Sequence, residues 1–229
     1  MAHSVILLHG ALGAQEQMKS LANTLEAKGF RVFAFNFSGH GGTPVREAGF
    51  DIKTFAQELQ DFIEQYKLDR PSIFGYSMGG YVALYLAAQH PDLIGKIATL
   101  ATKYNWNPES SLKESKQLDA ATILEKVPKY AVALKTRHAD NWEMLLQETA
   151  RIMLDLGTNP LLDHDVVQSI NIPVLVGMGD RDTMVSFDET QQLYRSLPQG
   201  QLYLLPATKH PIETVETELL AVILTRFFN

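Results

Sequence analysis

Cysteine is absent from the 229 residues, which removes disulfides, thiolate metal sites and cysteine nucleophiles together and fits a reducing compartment. No run of Lys or Arg reaches three residues and the formal net charge is -6, with a pI near 5.6. The chain therefore carries no electrostatic footprint for nucleic acid or another polyanion. No stretch approaches the roughly 20 apolar residues that span a bilayer. The start M-A-H-S-V-I-L-L has no basic segment ahead of its apolar run, so neither a signal peptide nor stable membrane anchoring is expected, and the reading is a cytoplasmic protein. Histidines show no H-x-x-x-H spacing, and the loop G-H-G-G (39–42) lacks the Lys-Ser/Thr that completes a phosphate-binding loop, so no metal and no nucleotide cofactor is expected. There are no internal repeats or low-complexity segments.

What remains is 45% apolar and 20% charged, enough for one sizeable α/β domain or two small ones. Short apolar runs alternate with longer segments of helical period, the pattern of a mostly parallel sheet covered by helices. Strands are expected at 4–8, 31–37, 71–76, 96–102, 172–178 and 201–205. Helices are expected from Met18 to about Leu25, over 52–66 with Asp51 as N-cap, over 78–89, and over 212–228. Residues 103–171 contain no strand-like run. They read as a helical insertion, with S-L-K-E (111–114) as a capping box and Trp142, Leu145, Leu146, Thr149, Ile152, Met153 and Leu156 as one apolar stripe. The expected division is a core of 1–102 and 172–229 with a cap or lid of 103–171.

In such a sheet every strand ends at the same edge, where ligands bind. Residues following the strands therefore meet: His9-Gly10-Ala11-Leu12-Gly13, Gly75-Tyr76-Ser77-Met78-Gly79, Gly179-Asp180-Arg181-Asp182, and Lys209-His210-Pro211. Taken locally, Ser77 in G-Y-S-M-G-G is either a helix cap or a nucleophile held on a tight strand-to-helix turn. The company of an imidazole and a carboxylate favours the nucleophile. A serine hydroxyl must lose its proton as it attacks, and an imidazole titrating near neutrality can take it; His210 stands in that position. The resulting imidazolium needs a fixed tautomer and an anion, for which Asp182 is preferred over Asp180 and Asp188. The oxyanion requires backbone N–H donors, expected from Met78 at a helix N-terminus and from Ala11. Gly75 and Gly79 would remove side chains from a turn too tight to hold them. His9 and His40 read as structural, and His3, His90, His138 and His164 as exposed.

Taken together, L-L-H-G, S-G-H-G-G-T, G-Y-S-M-G-G, G-D-R-D-T-M-V and K-H-P resemble the α/β-hydrolase superfamily over nearly the whole chain, in its order of Ser, acid and His. The resemblance implies an α/β-hydrolase fold and places the acid at Asp182, by the spacing Gly-x-x-acid from Gly179. Two departures stand out: the family's N-terminal hairpin has no counterpart, leaving six strands, and Lys209 precedes the histidine where glycine is commoner. The resemblance implies a serine hydrolase, a carboxylesterase acting on a small-molecule ester through an acyl-enzyme on Ser77. A pocket under the insertion is expected to involve Leu12, Tyr104, Trp106 and Trp142. Two other readings share the fold. One is carbon–carbon hydrolysis or elimination, as in the similar menaquinone-pathway lyases, although Tyr81 stands where those carry an arginine. The other is a ligand receptor without turnover. Oligomeric state is left open.

Overall fold

We describe residues 2–47 and 49–229 of a computed structural model. Six strands, β1 (Ser4–Leu8), β2 (Arg31–Ala34), β3 (Ser72–Tyr76), β4 (Lys96–Leu100), β5 (Val174–Gly179) and β6 (Gly200–Leu205), form one sheet of order β2-β1-β3-β4-β5-β6. Every pairing is parallel. The core helices are α1 (Lys19–Ala27), α2 (Ile52–Gln65), α3 (Met78–Gln89), α9 (Phe187–Ser196) and α10 (Thr217–Phe228). Between β4 and β5 lie α4 (Pro108–Ser115), α5 (Ala120–Lys126), α6 (Pro128–His138), α7 (Trp142–Thr158) and α8 (His164–Ser169). This is the α/β-hydrolase fold with a helical insertion after β4.

Period-two alternation in β1 divides the core into two layers. Val5 and Leu7 pack with Met18, Leu21 and Leu25 from the α1 side and Leu220 and Leu224 of α10. Ile6 and Leu8 face the other way, with Phe55 and Leu59 of α2 and Val82 and Leu86 of α3. Helix α3, sandwiched between sheet and insertion, is buried on most faces, as its all-round apolar sequence requires. Asp51 caps α2 by accepting from Thr54 N at 2.7 Å.

Three local expectations need correction. The second strand stops at Ala34 rather than residue 37: among the described residues β2 is an edge strand paired with β1 alone, with Leu7 opposite Ala34 as the last paired position. Phe37 instead turns inward, is 0% exposed, and packs on His9 and Phe55. The capping box of α4 is formed by Asn107 and Ser110, not Ser111 and Glu114; Pro108 occupies the first turn, where its missing N–H costs nothing. The closing helix is also split, a 3-10 turn at Ile212–Thr214 preceding α10.

Chain order reverses direction across the sheet between β1 and β3, the point where open parallel sheets leave a crevice. The β1 and β3 loops flank that point, and the β5 and β6 loops stand beside each other two strands away.

Candidate active site

Ser77 follows the last residue of β3 and precedes the first of α3, with φ 50° and ψ -117°. That left-handed φ is costly for a residue with a Cβ and is fixed from several sides. Ser77 N donates to Leu100 O at 2.8 Å, and Ser77 O accepts from Gly80 N at 3.0 Å and from Thr102 Oγ1 at 3.0 Å. The glycines allow the close approach. A Cβ on Gly79 would lie 2.7 Å from His9 O and Leu8 Cβ, and one on Gly75 would press into the backbone of Gly79 and Gly80.

With its own amide bound to Leu100, Ser77 has no backbone donor to spare. Met78 N, in the first turn of α3, and Ala11 N, in the loop after β1, have no protein acceptor among the described residues. Both residues line a cavity of about 460 Å³ together with Ser77 and His210.

His210 Nδ1 lies 2.8 Å from Asp182 Oδ2. Asp182 Oδ1 accepts from Met184 N at 2.8 Å and Val185 N at 2.9 Å, and the side chain is 0% exposed. Burial acts to raise this carboxyl, but the hydrogen bond and charge of His210 and the two amides outweigh it and hold Asp182 below the usual carboxylate value. An ionised Asp182 can only accept, so the proton between them sits on His210 Nδ1 and leaves Nε2 as the basic nitrogen. Asp180 instead accepts from Thr208 N, and Asp188 is exposed in the first turn of α9. Tyr76 Oη donates to His210 O at 2.9 Å, tying the histidine loop to the residue beside Ser77.

The loop after β1 is held by buried histidines. His9 Nε2 accepts from Phe37 N at 3.2 Å, so its Nδ1–H donates to Gly10 O at 2.8 Å. His40 Nδ1 meets Ser38 O at 3.1 Å while its Nε2 has no partner among the described residues. His138, expected on the surface, is instead 0% exposed, because α6 presses its C-terminal end against the loops at 12 and 41.

The cavity has a mixed lining. Gln17, Tyr130, Arg137 and Glu213, with Glu114, Gln117 and Thr149, supply polar groups, and Ile52, Leu118, Ile152, Met153 and Leu156 supply apolar ones. Its cations are paired: Lys103 with Glu189 at 3.3 Å and Arg137 with Glu213 at 3.4 Å. Of the pocket residues expected from sequence, Leu12 and Trp106 line the cavity. Tyr104 and Trp142 do not; both are buried in the core. Tyr81 lines it too, its hydroxyl accepting from Leu161 N and Leu162 N at 3.1 and 3.2 Å. Arg137 and Glu213 carry no sequence signal of their own, since their contacts lie far away along the chain.

A family model for the alpha/beta hydrolase fold matches residues 3–131, and the chain belongs to that family. Human serine hydrolase BPHL is 25% identical over 221 residues, covering 91% of this chain and 73% of its own. The pimeloyl-acyl-carrier-protein methyl ester esterase of Neisseria meningitidis serogroup A is 27% identical over 232 residues, covering 90% of this chain and 70% of its own. The solved enol-lactonase from Burkholderia xenovorans LB400 superposes with a TM-score of 0.79 at 18% identity, covering 99% of this chain and 91% of its own, a likeness of fold. These relatives support a hydrolase. No helix among the described residues is long and apolar enough to cross a membrane.

Proposed function

We propose that the protein is a serine hydrolase cleaving a carboxylic ester, or a related small acyl substrate, with Ser77, His210 and Asp182 as its catalytic residues. The observation that carries this reading is Ser77 at φ 50° in the wall of the same cavity as His210, whose Nδ1 is engaged by buried Asp182. Ser77 Oγ attacks the acyl carbon as its proton passes to His210 Nε2, and the C–O π pair moves onto the carbonyl oxygen. The N–H groups of Ala11 and Met78 receive that oxyanion. Collapse expels the alcohol, which takes the proton from His210 and leaves an acyl-enzyme. Water then repeats the sequence and releases the acid. Asp182 holds the imidazole in the required tautomer and balances its charge.

The apolar residues of the lining suit an uncharged acyl chain, and about 460 Å³ suits a ligand of modest size. Residues 103–171 act as a cap over this space, the rest forming the core. The hydroxyl of Tyr81, engaged by two amides, offers no cation for a carboxylate-rich lyase substrate. The test is labelling with a fluorophosphonate, mapping of the adduct to Ser77, and hydrolysis of p-nitrophenyl esters by wild type and Ser77→Ala. Loss of turnover by about a thousandfold or more is expected. Turnover by Ser77→Ala close to wild type refutes the reading, and tight ligand retention without turnover points to a receptor.

A further inference from the structure

The helical insertion does more than face the cavity: its helix α6 reaches back and holds the loop that carries Ala11. Leu12 sits at φ 57°, a left-handed conformation unfavourable for a side chain branched at Cγ. Its carbonyl receives two donors from the last two residues of α6. Arg137 Nη1 lies 2.9 Å from Leu12 O, and His138 Nε2 also lies 2.9 Å from it. The His138 tautomer is fixed by its other nitrogen: Gly41 N donates to Nδ1 at 3.0 Å. An amide N–H can only donate, so Nδ1 is unprotonated and the ring proton is on Nε2, directed at Leu12 O. Arg137 Nη2 in turn reaches Glu213, to which Gln17 Nε2 also donates at 2.6 Å.

We propose that Arg137 and His138 are positioning residues for the oxyanion site. By clamping the Leu12 carbonyl they keep the strained turn in the conformation that presents Ala11 N–H to the cavity, and they make the insertion part of the machinery as well as of the pocket. The catalytic consequence rests on the ester-hydrolase reading; the clamp itself does not. A donor displaced by even an ångström loses much of its effect on a developing charge, so the clamp acts on the transition state more than on substrate binding.

The test uses the full chain in four variants, each checked for folding by thermal unfolding: His138→Ala, His138→Gln, His138→Asn and Arg137→Met. Glutamine keeps an N–H near the Nε2 position for Leu12 O. Asparagine keeps only an acceptor near Nδ1 for Gly41 N. On a p-nitrophenyl ester, His138→Ala and Arg137→Met are expected to lose about tenfold to a hundredfold in kcat with KM little changed. Affinity for an alkyl trifluoromethyl ketone, which forms a tetrahedral adduct with a serine, should fall in parallel. Glutamine should restore most of the loss and asparagine should not. Independently of activity, hydrogen exchange of the Leu12 and Gly13 amides should quicken in His138→Ala while β3 amides are unchanged.

The proposal is overturned if His138→Ala and Arg137→Met keep kcat and inhibitor affinity within about twofold of the parent, if the loss falls wholly on KM, or if loop exchange does not change. Should His138→Ala not fold, Arg137→Met decides. Retained turnover in Ser77→Ala would instead remove the ester-hydrolase reading, and the clamp would then stand or fall on the exchange data alone.

Discussion

Mild acid should destabilise this protein through its buried histidines, against the direction set by its net charge. His9 is 0% exposed, with Nδ1–H donating to Gly10 O and Nε2 accepting from Phe37 N. A second proton would set Nε2–H against the N–H of Phe37. Burial is the main cause that lowers this imidazole to about 4; the Gly10 hydrogen bond opposes it, and His138 and Arg137 nearby lower it further. His40 is pushed well below its ordinary value by burial first and then by His9, with the Ser38 bond acting the other way, and it stacks on Phe50 at 5.6 Å. His138 is lowered too, by burial first and by Arg137, with its Leu12 bond opposing.

Each of these histidines is neutral when folded and takes a proton when unfolded below about 6.5. The unfolded state therefore binds more protons, and stability is present in full above that pH and is lost as pH falls toward the folded-state value. For His9 alone, a drop from 6.5 to about 4 corresponds to ~3 kcal/mol in total, of which ~2 kcal/mol is lost by pH 5. Domains of this kind have only about 5–15 kcal/mol to lose. Net charge predicts the opposite sign, because moving from -6 at pH 7 toward a pI near 5.6 relieves self-repulsion. Asp182, whose carboxyl is lowered, loses its contribution only below about 3.8 and stays out of this window. Urea titrations followed by tryptophan fluorescence at pH 7.5, 6.5, 5.5 and 5.0 measure the effect, with a constant m-value as the check on two-state behaviour. An unfolding free energy at pH 5 equal to or above that at pH 7.5 would refute the argument.

Three further outcomes are expected. Asp182→Asn should lower kcat on p-nitrophenyl esters by about 10³–10⁴-fold while leaving the fluorophosphonate site at Ser77 identifiable by mass spectrometry. Gly79→Ala should cost more than about 2 kcal/mol in thermal unfolding, because its Cβ would meet His9 O and Leu8 Cβ at 2.7 Å. Ile52, Ile152 and Leu156 line both the main cavity and a second one of about 180 Å³ between α2 and α7. Ile152→Ala should open that partition and raise the ratio of kcat/KM for octanoate over butyrate esters at least about fivefold.

The sheet and the order of its loops could be read from the sequence because parallel strands buried on both sides leave uninterrupted apolar runs, and because loops at one edge must converge. What escaped was decided by partners. F-A-F-N-F alternates like a strand through residue 37, yet an edge strand continues only as far as its neighbour, and β1 ends at Leu8. Asn107-Pro108 was a better helix-start signal than Ser111 to Glu114, since proline suits the first turn. His138, in the polar run K-T-R-H, gave no hint of burial. Its partners at Leu12 and Gly41 lie 126 and 97 positions away, beyond any local pattern. Tyr104 and Trp142 read as pocket aromatics because they lie in the insertion, but both are buried in the core.

The insertion leaves from β4 and returns on β5, and these two strands are paired directly. Because the pairing is parallel, the excursion leaves at the C-terminal end of β4 and comes back to the N-terminal end of β5 at the opposite edge; the sheet fixes both ends whatever lies between them, and lengthening such an excursion costs little closure entropy. In engineering terms it is a candidate for exchange: Ser77, Asp182 and His210 all lie in loops that follow strands outside it. A transplanted insertion would arrive with a new pocket and leave the proposed triad undisturbed. It would lack the two donors now resting on the Leu12 carbonyl, so chimaeras of this fold are expected to bind their new substrates before they turn them over well.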